Sequence, residues 1–258
     1  MTDTLVRRDG GRILYPCMKV LATALVLCGI ASAAHAAGDP YDACLSRAQS
    51  DPAGALAQAT NWSKQGGGAA ADHCAALALI GLSRFSDAAS RLDALARSPF
   101  AADPSRKTAL FDQAGNAWLL AGRADSAIAS FSAALGVDPF DADLLADRAR
   151  ALALKQNWAK ADSDLSAALL VSPDRADLYV LRGSARHAMG RKPDARSDFD
   201  RAIRLQPGNA DALVERGTMK FEAGDTAGAR ADWQAALASS PGSLAAQTAQ
   251  QRLTDIAH

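Results

Sequence analysis

The sequence predicts an all-α protein that is built as a solenoid of stacked helix hairpins. Three observations lead to this prediction. A period of 34 residues runs without a break from residue 108 to residue 243, a proline stands near the end of every period, and aromatic residues make up only 5% of the 258-residue chain while alanine is abundant. Repeats of this length are hairpins that bury their apolar faces by stacking on one another. Small side chains let such helices pack closely.

The four repeat units cover residues 108–141, 142–175, 176–209 and 210–243. Small residues recur at the eighth, twentieth and twenty-seventh positions, and a bulky residue recurs at the twenty-fourth. The thirty-second position is always proline, which cannot continue a helix and therefore marks the end of each hairpin. The defining residues are Ala127, Ala161, Ala195 and Ala229 at the twentieth position, Ala134, Ala168, Ala202 and Ala236 at the twenty-seventh, Phe131, Leu165, Phe199 and Trp233 at the twenty-fourth, and Pro139, Pro173, Pro207 and Pro241 at the thirty-second.

The turn between the two helices of a hairpin is marked by glycine in three of the units. These glycines are Gly122, Gly190 and Gly224. The second unit has no glycine there, and we expect Asn157 to be its turn residue, because asparagine also tolerates left-handed backbone at a helix end.

This pattern resembles that of the tetratricopeptide repeat, and the match covers 136 of the 258 residues. The resemblance implies a right-handed superhelical array whose concave groove binds protein segments. The chain departs from the family pattern at the eleventh position, where Trp118 and Leu152 are suitable but Arg186 and Lys220 are not. We therefore expect different packing at that position in the third and fourth units.

In this family the groove is lined by the second, fifth, ninth, twelfth and thirteenth positions of the first helices. Family members that grip a peptide carboxylate have Lys, Asn and Arg at several of these places, and here only Asn116 and Arg150 fit. The resemblance implies a protein or peptide partner, and the alternative is a solvated face with no critical residue. The predicted groove residues at the ninth and twelfth positions are Asn116, Leu119, Arg150, Ser184, His187, Thr218 and Phe221.

The first 36 residues have the anatomy of a secretory signal peptide. Lys19 precedes an uncharged apolar stretch, and small residues follow at Ala34 and Ala36. A retained membrane anchor is the alternative, but the apolar part is shorter than the ~20 residues that a span needs. We predict cleavage after Ala36, from a start at either Met1 or Met18, and hence a periplasmic or secreted protein without stable membrane insertion.

The charge of the mature chain bears on the kind of partner. The full chain has 28 cationic and 28 acidic side chains, and cleavage removes four cationic and two acidic ones, which leaves a formal charge of −2. This balance argues against nucleic acid or anionic lipid as the main partner.

Between the signal peptide and the regular units, residues 37–103 predict an atypical helical region that ends in a degenerate repeat. Asp51-Pro52 and Asp103-Pro104 are helix-start signals, and Gly66-Gly67-Gly68 predicts a joint. The regular units then occupy residues 104–243, and residues 244–258 predict a polar capping helix.

Two cysteines, Cys44 and Cys74, remain after cleavage. In an exported protein they predict one disulfide. Two buried thiols, or part of a metal site with the adjacent His73, are the alternatives, although a zinc site needs four ligands at tight spacing.

A search for catalytic motifs finds no phosphate-binding glycine loop, no nucleophile elbow and no metal-ligand spacing. We therefore predict a binding protein without catalytic site, metal or cofactor. The second hypothesis is an enzyme or small-ligand protein whose reactive groups are Cys44, His73 and Cys74.

A further regularity is a charge ladder, in which three units carry arginine at the seventh position and aspartate at the twenty-third. The first unit has Ala114 and Ser130 there and lacks both charges together. The two positions lie at about equal height on antiparallel helices, so we predict partly buried ion pairs, within a repeat or across to the next. The alternative is a basic stripe for an acidic ligand. The ladder residues are Arg148, Asp164, Arg182, Asp198, Arg216 and Asp232.

Overall fold

The computed structural model describes residues 39–256, and the predicted signal peptide of residues 1–36 lies outside the described residues. The predicted all-α fold is confirmed, because the described residues form thirteen α-helices and no strand. Within the same residues, every helix falls short of the length and apolar character that a membrane span requires. The helices are α1 (Pro40–Ser50), α2 (Pro52–Trp62), α3 (Gly68–Gly81), α4 (Phe85–Ala96), α5 (Pro104–Leu120), α6 (Ala124–Leu135), α7 (Ala142–Leu154), α8 (Trp158–Val171), α9 (Ala176–Ala188), α10 (Lys192–Leu205), α11 (Ala210–Glu222), α12 (Thr226–Ser239) and α13 (Leu244–Asp255).

The four repeat units are the hairpins α5–α6, α7–α8, α9–α10 and α11–α12. Each helix packs against the next one along the chain, so the hairpins form one continuous stack. The helix pair α3–α4 precedes them at the place of the degenerate repeat, and α13 follows, packed against both α11 and α12.

The sequence signals for helix starts and joints correspond to observed structure. The side chain of Asp51 accepts a hydrogen bond from the backbone N–H of Gly54 at 2.9 Å, and Asp103 accepts one from that of Arg106 at 2.8 Å. The proline at the first position of each following helix has no N–H to satisfy. Between α2 and α3 the chain kinks at Gly66, whose φ of 93° is open to glycine without strain.

The turn inside each hairpin has one residue in the left-handed backbone region. This residue is Gly122, Gly190 or Gly224 in three units, with φ of 70°, 75° and 85°. In the second unit it is Gln156, with φ of 57°, and not Asn157, which corrects the prediction by one residue. Gln156 occupies the same repeat position as the glycines. The left-handed residue therefore falls at the same repeat position in all four units, although one unit has no glycine there.

Inside a hairpin, the bulky residue of the second helix packs on the small residue of the first. A Cβ atom on Gly115 would lie 2.5 Å from the ring of Phe131, and glycine faces the aromatic ring in the same way in the third and fourth units. The second unit instead has Ala149 opposite the smaller Leu165, and both are buried. The residue sizes at the two positions are therefore matched within each unit, as close packing demands.

Candidate partner-binding face

The first helices of the hairpins, α5, α7, α9 and α11, form one side of the stack. Neighbouring first helices contact one another across the boundaries between hairpins, so they form one continuous surface. We call the second, fifth, ninth, twelfth and thirteenth positions of these helices the inner face, since the helical period places them on the same side.

Two of the predicted groove residues bond to their own helix. The hydroxyl of Ser184 donates to the backbone carbonyl of Val180 at 3.0 Å, and that of Thr218 donates to the carbonyl of Val214 at 2.9 Å. Both hydroxyls keep acceptor capacity for a ligand.

The two residues that fit carboxylate capture are already held by carboxylates. The side-chain amide of Asn116 donates to Oδ1 of Asp112 at 2.9 Å, and Arg150 forms an ion pair with Asp147 one turn earlier on α7. A carboxylate ligand would have to compete with both aspartates. The geometry therefore argues against the carboxylate-gripping arrangement.

An acidic pocket of about 500 Å³ lies between the N-terminal halves of α5 and α7. Apolar surface from Ala109, Val137 and Leu144 lines part of it. Sequence reasoning missed this pocket, although three of its residues stand at inner-face positions of their units: Ala109 and Asp143 at the second, and Asp112 at the fifth. Its other aspartates stand in the loop between units or at the sixth position, so no single repeat position indicates the pocket. Its five aspartates are Asp112, Asp138, Asp141, Asp143 and Asp147.

The pKa of Asp112 is shifted by its place in this pocket. Burial raises its pKa to about 6, and the neighbouring charges of Asp147, Asp141 and Asp143 act in the same direction against the hydrogen bond from Asn116. A carboxylate with a raised pKa is stabilised by a nearby cation. No cation lies within salt-bridge distance of Asp112, Asp138 or Asp141 among the described residues. Asp143 and Asp147 are paired, with Arg175 and Arg150.

The C-terminal halves of the first helices expose apolar side chains. Leu120 and Leu154 are 60% and 66% exposed, and they occupy the thirteenth position of neighbouring units. Phe221, a predicted groove residue, is 46% exposed, while Leu119 is half-buried against the core. The inner face thus has an acidic part and an apolar part.

Toward the other end of the inner face, His187 belongs to a small polar cluster. Its Nε2 lies 3.0 Å from Oε2 of Glu222, which also accepts a hydrogen bond from Lys192 at 2.8 Å. The bonds from Lys192 and His187 lower the pKa of Glu222. Burial raises the pKa of Glu215 on the same helix. His187 is therefore engaged with an acid.

The ladder arginines point between the helices of their own units. Arg148 donates from Nε and Nη2 to Asp164 at 2.7 and 2.8 Å, and the pairs Arg182–Asp198 and Arg216–Asp232 repeat this two-pronged geometry. The arginine side chains are only 16–25% exposed and the aspartates 4–11%. The arginines are thus committed to intramolecular pairs and do not form an open stripe.

Each ladder arginine also reaches the preceding repeat. Nη1 of Arg148 donates to Ser132 at 3.2 Å, Nη1 of Arg182 to Ser166 at 3.3 Å, and Nη1 of Arg216 to Asp200 at 2.9 Å. In every case the acceptor stands at the twenty-fifth position of the previous unit. One guanidinium therefore ties two successive second helices to the first helix between them.

The unusual eleventh-position cations join the same network. Arg186 donates to Asp198 at 2.8 Å and to Asp162 at 2.7 Å, and Lys220 lies 2.8 Å from Asp232. Burial alone would raise the pKa of Asp232, but the hydrogen bonds from its two cations outweigh it and lower the pKa. Ion pairing replaces apolar packing at this position in the last two units.

In the N-terminal region, the groups of the second hypothesis are engaged with one another or with neighbours. Cys44 and Cys74 are fully buried and joined in a disulfide, with their Cα atoms 6.0 Å apart. The hydroxyl of Tyr41 donates to Nδ1 of His73, and Nε2 of His73 donates to Oε1 of Gln113 at 3.0 Å. Burial lowers the pKa of His73, so its neutral form is favoured. No cluster of His, Cys, Asp or Glu suited to a metal ion occurs in residues 39–256.

Comparison with known proteins identifies the repeat. The family model of the tetratricopeptide repeat matches residues 75–142, 146–210 and 180–243, and none of the curated proteins matches the chain. A crystal structure of MamA is similar at 20% identity with a TM-score of 0.56, covering 64% of this chain and 93% of MamA.

Two further solved structures show the range of the likeness. MamA (residues 41 to the end) from Desulfovibrio magneticus RS-1 is similar at 19% identity with a TM-score of 0.58, covering 66% of this chain and 93% of that one. The second repeat domain of human RPAP3, in complex with an HSP70 peptide, is 28% identical over 46% of this chain and 98% of its own, with a TM-score of 0.45. The two MamA structures show that the fold is shared.

Proposed function

Because the chain belongs to the tetratricopeptide-repeat family, we propose that it is a non-catalytic interaction protein that holds a segment of a partner protein against its inner face. One observation carries the proposal: the inner face combines an open cavity with two leucines that are more than half exposed and have no partner among the described residues. Exposed apolar side chains rimmed by polar ones mark interaction surfaces. The family's fold by itself does not select a partner, so the argument rests on this surface.

The enzyme hypothesis finds no such support. The two sulfur atoms of Cys44 and Cys74 are bonded to each other, and both ring nitrogens of His73 have hydrogen-bond partners. None of these groups is placed to attack or to protonate a substrate.

Site-specific photocrosslinking in the native cells tests the function. A photoreactive phenylalanine analogue is placed at Leu154 on the inner face and, as the matched control, at the exposed Ala235 on the outer helix α12. We expect a discrete crosslinked partner band from position 154 and none from position 235. Equal crosslinking at both positions, or none at 154 with a folded protein, would refute binding at the inner face.

We further propose that the protein works outside the cytoplasm, in the periplasm or after secretion. The signal-like anatomy of residues 1–36 motivates this, and a buried disulfide suits an oxidising compartment. The intact mass of protein recovered from a fractionated host should correspond to a chain that begins at Ala37. A cytosolic protein that retains residues 18–36 would contradict the proposal.

A further inference from the structure

The inner face between α5 and α7 differs in charge from a surface that captures carboxylates. Five aspartates surround its pocket, and only two of them pair with a cation in the described part of the chain. The only neighbouring donors with the carboxylate-gripping pattern, Asn116 and Arg150, are bound to Asp112 and Asp147. Three of the five aspartates have no cation of their own in the described part of the chain, so the face repels an acidic segment and favours a cation that a partner supplies.

The distance between the aspartates and the exposed leucines sets the spacing of the side chains on a bound segment. Leu120 lies about 12 Å along α5 from Asp112, and Leu154 lies about 10 Å along α7 from Asp147, at ~1.5 Å per residue. An extended segment advances ~3.3 Å per residue. One segment can therefore reach both parts if its basic and apolar side chains are three or four residues apart.

We propose that the inner face between α5 and α7 binds an extended segment of a partner protein in which a lysine or arginine enters the aspartate pocket and an apolar side chain covers Leu120 and Leu154. This inference rests on the proposed function and specifies its partner. Charge complementarity selects the cation, and the exposed leucines supply apolar contact area. The raised pKa of Asp112 agrees with this geometry. Burial is its main cause, and the charges of Asp147, Asp141 and Asp143 add to it, so a bound cation would offset that added repulsion.

The probe is a positional-scanning library of octapeptides with acetylated N-termini and amidated C-termini, measured on the purified protein at pH 7.5 by fluorescence polarisation. We expect selection of lysine or arginine at one position and of leucine, isoleucine or phenylalanine three or four positions away. A parallel library with free C-terminal carboxylates should show no gain in affinity. Raising the salt concentration should weaken the binding of the selected peptide, because the pairing of its cation with the aspartates is electrostatic.

Variants separate a specific cation pocket from general acidity. Asp112→Asn should lower the affinity of the protein for the best basic peptide by about tenfold. The matched control Asp42→Asn, at an exposed aspartate on α1, should leave the affinity unchanged. A combined Leu120→Ser and Leu154→Ser variant should lose binding while its melting temperature stays close to that of the parent, since both side chains are already exposed.

The outcomes distinguish this inference from the function on which it rests. Selection of aspartate, glutamate or a free carboxylate would overturn the basic-segment inference and leave a peptide-binding inner face standing. An equal loss from Asp112→Asn and Asp42→Asn would also overturn it. A crosslinked partner at position 154 together with no peptide selection would overturn only this inference. If both experiments fail, the proposed function is contradicted as well.

Discussion

Removing one partner of the Arg148–Asp164 pair should cost the protein much of its stability. This pair is the most suitable one for the test, because Asp164 accepts side-chain hydrogen bonds from Arg148 alone in the described residues. The other two ladder aspartates each bind a second cation. Arg148→Ala leaves a carboxylate that is 11% exposed without a cation, and Asp164→Ala leaves a guanidinium that is 25% exposed with only Ser132 as an acceptor.

The magnitude follows from where this pair lies between two limits. Breaking a fully buried ion pair costs about 3–5 kcal/mol, and an exposed pair contributes about 0–1 kcal/mol. The 11% exposure of Asp164 lies nearer the buried limit but lets some water in, so we expect about 2–3 kcal/mol for each single variant. For a folded chain of this size, this corresponds to a fall in melting temperature of about 5–10 °C.

The assay is a double-mutant cycle by urea unfolding, followed by circular dichroism. The double variant Arg148→Ala/Asp164→Ala should lose about 2 kcal/mol less unfolding free energy than the two single variants lose in sum. The reason is that neither charge is then left buried alone. The control cycle uses Arg84 and Asp87, whose side chains are 57% and 54% exposed, and it should show coupling below about 0.5 kcal/mol. Additivity at 148 and 164, or equal coupling in the two cycles, would refute the structural role of the ladder.

Three other predictions concern stability. Reduction of the bond between Cys44 and Cys74, which are 30 residues apart, should cost about 3–4 kcal/mol and should raise hydrogen exchange in α1–α3 before the repeats; simultaneous loosening of the whole array would contradict this. Asp112→Asn should be more stable than the parent above pH 6 and lose that advantage below about pH 4, because the folded state binds the Asp112 proton more tightly than the unfolded one; a constant difference across this range would disprove the pKa shift. Gln156→Gly should stabilise by about 0.5–1 kcal/mol by removing left-handed strain, and the reverse change Gly190→Gln should destabilise; equal effects of the same sign would contradict the turn assignment.

The fold could be predicted from the sequence because its determinants lie at single repeat positions. A glycine or alanine at the eighth position and a bulky residue at the twenty-fourth describe a contact inside one hairpin, and four copies of that contact define the period. The ladder was also predictable, because the repeats serve as an internal alignment and the arginine and aspartate are absent together from the first unit.

Other features depended on neighbours that the period does not reveal. From the sequence, Arg186 looked unsuitable because the family pattern describes each position by itself. Its acceptors Asp162 and Asp198 lie 24 and 12 residues away on two different helices, so the pattern does not reveal them. The acidic pocket was missed for a related reason. Its charge is a sum over α5, α7 and the loop between units, and no single repeat position contains it. Gln156 shows the opposite case, in which tertiary register overrides a local residue preference.

Different repeat positions hold the hairpins together and line the inner face. In the last three units, arginine at the seventh position binds the twenty-third position of its own unit and the twenty-fifth position of the preceding one. The first helices α7, α9 and α11 are therefore held from the side that faces the second helices. The exposed inner-face side chains Leu120 and Leu154 take no part in that network. Side chains outside that network can differ between units, as Asn116, Arg150 and Ser184 do at one repeat position. A surface whose residues differ between units, on helices that are held by ion pairs, has the properties that selective binding of a partner segment requires.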